Sequence, residues 1–315
     1  MRYGVPYKGS KNSIAEWVYS HFPKADNFYD LFAGGCAITQ IALMRQEYKN
    51  YFCNDIDGKG IELFLNAIHG KYKNETRWID RATFFAEKEK DPYIKYCWSF
   101  GNNGRDYLYG EDLEPFKKAW HYAIYFNDFS LAEEIGLNLK PIENIQGIYE
   151  RYIETKHITE SAIDDINITA LQSSVRSQQL EALNRLQSLQ SLQSLQSLQS
   201  LQSLQSLQSD FSKVEILPHS VIYCDIPYFD VDGYGKTKGK SCFDFERFYS
   251  WCEKQTEPVF ISEYWMPEDR FECIDEIEKT VTLQSGAGNK AIEKLFVPRH
   301  QKYDKWQGTL FEGIL

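Results

Sequence analysis

The chain has 315 residues, 43% of them apolar and 15% aromatic, with a formal net charge of −10 and a pI near 5.2. That is enough chain for one large α/β domain, or a core domain of about 200 residues with an insertion, and too apolar for a disordered polymer. The acidic balance excludes a protein that coats nucleic acid through bulk charge, so any contact with a polyanion must use local basic clusters.

No run approaches the ~18 apolar residues of a membrane span, and Met1 to Gly9 carry no apolar leader core, so the expectation is a cytoplasmic protein without membrane contact. Seven cysteines without C-x-x-C spacing read as reduced thiols. No metal is expected.

In chain order, Tyr7, Lys8 and Lys11 come first, in a short polar segment. From Asn27 a strand pattern runs into Asp30-Leu31-Phe32-Ala33-Gly34-Gly35, and helical periodicity resumes through Ile38, Ile41 and Leu43. A second strand, Tyr51 to Asn54, leads to Asp55 and a helical stretch through Ile61, Leu65 and Ile68. This β-α-β-α opening predicts a parallel sheet.

Residues 71–165 change to amphipathic helical stretches, such as Glu114 to Phe126 and Ile142 to Thr155, broken by a polar turn at Gly101-Asn102-Asn103-Gly104. They read as a mostly helical insertion. Residues 1–70 and 166–315 then form the α/β part that carries this insertion. Strands return near Val221 to Cys224 and Pro258 to Ser262, and as a hairpin from Thr280 to Val297 whose turn is Gly286-Ala287-Gly288-Asn289.

Between these lies Leu-Gln-Ser repeated without interruption from Leu186 to Ser209. In an α-helix each triplet advances ~300°, so successive leucines slip by ~60° and no single apolar face forms. A long 3₁₀-helix is rare, and a strand alternates the leucines between faces. The expectation is a helix from about Ser174, partly packed on the sheet and partly projecting with exposed leucines, either a repeat-length expansion in a tolerant helix–strand connection or a face for a partner or self-association.

Two places carry chemistry. Gly34 and Gly35 after a strand form a turn that lets a ligand approach the backbone, and Asp55 at the end of the next strand offers a carboxylate to a ribose diol or caps a helix. Asp225-Ile226-Pro227-Tyr228, directly after an apolar strand, brings an acid, a kink and an aromatic ring together at a strand end.

These segments resemble the Dam-type adenine-N6 DNA methyltransferases of the alpha-ordered group. Pro6 to Lys11 is similar to that family's N-terminal cofactor-side motif, Asp30 to Gly35 to its glycine motif, and Asp225 to Tyr228 to its Asp-Pro-Pro-Tyr tetrapeptide, with Ile226 in place of the first proline. The resemblance implies a Rossmann-like α/β methyltransferase sheet with helices on both faces, plus a helical target-recognition insertion.

It also implies S-adenosylmethionine as methyl donor and double-stranded DNA as partner, with the target adenine flipped out of the duplex. Tyr7, Lys11, Asp30, Phe32, Ala33, Gly34, Gly35, Asp55 and Asp225 then serve the donor. Asp225 and the Ile226 carbonyl grip the adenine amino group, and Tyr228 stacks on the base. Lys8, Asn102, Asn103, Arg105, Tyr107 or Tyr109, Lys236 and Lys238 are the expected DNA contacts. An inactive binding module on the same fold, and a methyltransferase for a protein glutamine or a small molecule, are the competing readings.

Overall fold

The computed structural model describes residues 3–163, 201–228, 243–281 and 289–303. The chain divides into two compact units, one formed by 1–73 with 185–315 and the other by 74–184.

The first unit is built on a seven-stranded sheet in the order β3-β2-β1-β4-β5-β7-β6. Its strands are β1 (Asn27–Asp30), β2 (Asn50–Asn54), β3 (Leu204–Leu207), β4 (Ser220–Cys224), β5 (Val259–Glu263), β6 (Phe271–Val281) and β7 (Asn289–Pro298). β3, β2, β1, β4 and β5 are parallel, while β7 is antiparallel to both β5 and β6. Its described α-helices are α1 (Ala15–Tyr19), α2 (Ala37–Arg45), α3 (Lys59–Ile68) and a further helix at Phe245–Cys252.

β1, β4 and β5 are buried at every position. That explains why they read as continuous apolar runs and not as alternating strands. On one side of the sheet Tyr29, Ile222, Cys224, Ile226, Ile261 and Met266 pack with Phe248 and Phe271 into one apolar cluster. The chain leaves β1 for β2 on one side and enters β4 on the other, so the carboxyl ends of β1 and β4 flank a topological switch point, the usual ligand crevice of an open α/β sheet.

Two expectations need correction. The Leu-Gln-Ser repeat does not end as a helix. Leu201 and Gln202 are helical, but Leu204–Leu207 is the edge strand β3, paired in parallel with Tyr51 to Asn54. Its leucines sit at the two half-buried positions of the strand and Gln205 and Ser206 at the exposed ones. The backbone pairing offered by β2 outweighs the lack of an apolar face, and over these residues no helix is left for a partner. Residues 186–200 of the repeat lie outside the described residues.

The C-terminal hairpin is also longer than expected, because β6 begins at Phe271 and not near Thr280. Exposed Glu272, Glu276 and Glu278 mask it in the sequence, as charge on an edge strand commonly does. Gly286 and Gly288 lie outside the described residues, but Val281 pairs with Asn289 across them.

The second unit contains α4 (Arg81–Glu87), α5 (Pro92–Cys97), α6 (Glu114–Phe126), α7 (Ser130–Glu134) and α8 (Ile148–Ile163). Asp80 and Asp91 cap α4 and α5 by accepting from Thr83 N and Tyr93 N. Ala119, Trp120, Ala123 and Ile124 of α6 form an apolar core with Leu137, Leu139, Ile142 and Tyr152.

Asn54 ties the edge strand to the switch point. Its buried amide donates to the carbonyls of Leu31 and Ser209, at 3.0 Å each, and accepts from Ser209 N at 3.0 Å. Asn54→Ala strands several backbone groups at once. It is expected to cost about 2–4 kcal/mol in urea unfolding, with an unchanged m-value.

Candidate active site

The glycine turn after β1 is shaped by the chain itself. Gly34 has φ 47°, and a Cβ there would lie 2.9 Å from the Tyr7 ring. A Cβ on Gly60 of α3 would collide with the Gly34 carbonyl, so both glycines are needed for close backbone approach. Val5 N donates to Gly35 O at 2.8 Å and Ala33 N to Asn54 O at 2.9 Å, pinning the N-terminal segment and β2 to the turn.

Asp55, just past β2, accepts from Gly34 N at 2.9 Å and from Asp57 N at 3.0 Å. It therefore braces the glycine turn, while the helix that follows is capped by Gly58 and not by Asp55. Burial raises its carboxyl above the ordinary value, and the backbone bonds from Asp57 and Gly34 oppose that.

Asp30 ends β1 at 1% exposure. Its Oδ2 accepts from Thr39 N at 3.2 Å and Thr39 Oγ1 at 2.7 Å, whereas its buried Oδ1 has no hydrogen-bond partner. Burial pushes its carboxyl up to about 7; the Thr39 bonds resist, and the charges of Asp225 and Asp55 add to the rise. Phe32 is half-buried, with its ring 5.5 Å from Phe211 and 5.8 Å from Phe248 against the apolar cluster.

Beyond β4, Asp225 keeps 21% of its side chain exposed. Lys11 Nζ, almost fully buried, lies 2.5 Å from Asp225 Oδ1 and 3.5 Å from Glu293 Oε1, and it donates to Tyr228 Oη at 2.6 Å. Tyr228 in turn donates to Glu293 Oε1 at 2.7 Å and stacks on Tyr264 with ring centroids 4.3 Å apart. Burial alone would drive the lysine to lose its proton, but the Asp225 and Glu293 carboxylates outweigh it and hold the ammonium well above the ordinary lysine range. Burial and the same two carboxylates push the Tyr228 phenol up.

Ile226 is 2% exposed and belongs to the apolar cluster, so the residue standing where the related tetrapeptide has proline is held by packing. Pro227 is half-buried.

Sequence reading missed Glu293 and Tyr264. Glu293 shares an inward face of β7 with Leu295 and Val297, all three at 0% exposure, so an acid in phase with apolar residues was the available signal. Tyr264 follows β5 and had none.

In the second unit, the predicted polar turn is held by its own side chains. Asn102, at φ 55°, donates to Tyr96 O at 2.8 Å. Asn103 accepts from Arg105 N at 2.7 Å and Asp106 N at 3.1 Å and donates to Asp106 Oδ2 at 2.8 Å. Tyr107 is corrected outright: it is buried, and its hydroxyl donates to Ile79 O at 2.7 Å, a core role that leaves no ring for DNA. Tyr109 is likewise buried, stacked on Trp78. Arg105 is exposed and Lys88 donates to its carbonyl; Phe85 and Phe100 are exposed large aromatics of the same unit. Lys8 is half-buried in the first unit, and Lys236 and Lys238 lie outside the described residues.

The family described as D12 class N6 adenine-specific DNA methyltransferase matches residues 7–238. The chain belongs to this family. A search of curated proteins returned no match. As an adenine-specific DNA methyltransferase the protein places a methyl group on adenine N6 in DNA, and the matched span contains Lys11, the glycine turn, Asp55 and Asp225 to Tyr228. Tyr264 and Glu293 lie beyond it. Among the described residues no His, Cys, Asp and Glu group could hold a metal, and no helix is long and apolar enough to cross a membrane.

Asp30 generates a pH prediction. Its folded-state carboxyl near 7 lies above the unfolded value of 3.8, so between those limits the folded state binds more protons and stability falls as pH rises. The span corresponds to roughly 4 kcal/mol at most. Urea unfolding of Asp30→Asn is expected to show a flatter stability profile from pH 4 to 7 than the parent.

Proposed function

We propose that the first unit binds S-adenosylmethionine at the carboxyl ends of β1 and β4 and methylates an adenine flipped out of double-stranded DNA. The observation that carries this reading is the meeting of Asp30, Asp55 and Asp225 at the switch point, with Lys11 gripping Asp225 and Tyr228. Three acids beside a glycine turn suit a donor with ammonium and sulfonium charges and a ribose diol, and the unpartnered buried Oδ1 of Asp30 has a hydrogen bond still to accept. When bound, S-adenosylmethionine supplies an electrophilic methyl group on a positively charged sulfur.

The remaining chemistry belongs to the chain. Adenine N6 is a weak nucleophile because its lone pair is delocalised into the ring. The Asp225 carboxylate and the Ile226 carbonyl accept its two N–H bonds, which lets the nitrogen become more tetrahedral and turn its lone pair toward the donor. The negative charge of Asp225 offsets the positive charge that develops on N6, a preorganised electrostatic contribution. Tyr228, stacked on Tyr264, is the aromatic residue against which the extruded base stacks.

Isoleucine keeps the main-chain oxygen that the amino group needs. Its buried side chain supplies by packing the rigidity that proline supplies by its ring. Flipping is required because the methyl donor cannot reach N6 for in-line attack inside a duplex.

The second unit acts as the target-recognition insertion, with Arg105, Lys88, Phe85 and Phe100 as its DNA-facing group. Asn102 and Asn103 shape the turn that presents Arg105. Lys8, Lys236 and Lys238 serve phosphate contacts, which keeps positive charge local in a protein of net charge −10.

Expression in a methylation-deficient host with single-molecule sequencing is expected to show one short modified motif for the parent protein and none for Asp225→Ala. Unchanged methylation by that variant refutes the assignment. Calorimetry with S-adenosylmethionine at pH 6.5 in buffers of different ionisation enthalpy, an operating point near the raised Asp30 value, is expected to show proton release by the parent and none by Asp30→Asn. Equal proton release by both would remove Asp30 from the donor site.

A further inference from the structure

One ammonium and two carboxylates meet at Lys11, with Asp225 at 2.5 Å and Glu293 at 3.5 Å. Lys11 and Asp225 alone would form a neutral pair, cancelling the negative charge that the proposed chemistry needs beside the amino nitrogen. Glu293 changes that sum to −1. It does so from a position with 0% exposure on β7, and the same Oε1 receives the Tyr228 hydroxyl at 2.7 Å.

A glutamine at 293 would accept from Tyr228 equally well without the cost of burying a charge, so the charge itself is the feature that requires a role. Glu293 lies outside the span matched by the family, 7–238.

We propose that Glu293 is a positioning residue for methyl transfer: it shares the charge of Lys11, and so leaves Asp225 effectively negative toward the reacting amino group while it holds the Tyr228 ring in place. The proposal rests on the assignment of Asp225 and Tyr228 to the reaction. It separates charge from hydrogen-bond geometry, because Glu293→Gln keeps the acceptor and loses the charge, whereas Glu293→Asp keeps the charge and withdraws from Tyr228.

The test is single-turnover methylation of unmodified DNA by the full chain with labelled S-adenosylmethionine, alongside the donor Kd from calorimetry and the melting temperature. Glu293→Gln is expected to lower the single-turnover rate roughly 10- to 100-fold with the donor Kd within about twofold, and Glu293→Asp to retain more activity than Gln. A Gln variant within about twofold of the parent rate, or an Asp variant slower than Gln, overturns the proposal. If the Gln variant does not fold, the Asp variant decides alone: a rate within roughly tenfold of the parent supports the proposal and a larger loss overturns it. Parental activity in Asp225→Ala is a different result, since it sinks the underlying reading whatever the Glu293 variants do.

Discussion

A lysine ammonium buried between two carboxylates is tolerable because their negative charge offsets the desolvation of the cation. In this chain the three come from the N-terminal segment, the end of β4 and the inward face of β7, at positions 11, 225 and 293. Removing Lys11 leaves two carboxylates without their cation, typically a loss of about 3–5 kcal/mol, whereas removing Glu293 leaves the neutral Lys11–Asp225 pair. The cluster therefore acts as a lock. It draws the N-terminal segment across the carboxyl edge of the sheet and fixes Asp225 and Tyr228 in the same step.

The rest of the crevice follows from that placement. With Lys11 seated, Tyr7 lies against Gly34 and Gly35, Val5 joins Gly35, and Asp55 closes over Gly34 from the other strand. The glycines thus accommodate the protein's own tyrosine and backbone. The crevice that results is acidic. An acidic crevice suits a cationic ligand, and a strongly acidic chain that works on DNA needs local exposed cations for the polyanion.

The Leu-Gln-Ser repeat shows how tertiary pairing overrides a sequence without a helical or strand period. Its period of three matches no buried face, so local pattern cannot choose a conformation. The choice is made at the end of the repeat, where Ser209 is held on both backbone groups by Asn54 and β2 presents an open edge to Leu204–Leu207. Among the described residues, Leu201 and Gln202 are helical while Leu204–Leu207 is strand, although the triplets are identical in sequence.

The sequence alone determined what depends on neighbours along the chain: the β-α-β-α opening from Asn27, the apolar strand leading into Asp225, the helix at Glu114 to Phe126 and the ordered motifs that mark the family. These rest on periodicity and on residue types at strand ends, both local properties. Tertiary structure decided the partners of those residues. It gave Asp55 to the glycine turn, Phe32 and Ile226 to the core, Tyr107 to the interior of the second unit, and Lys11 to two carboxylates, one of which no motif announces. The physical reason is that burial and charge pairing depend on which strands lie side by side. Residues 11, 225 and 293 become neighbours only when β7 inserts antiparallel between β5 and β6.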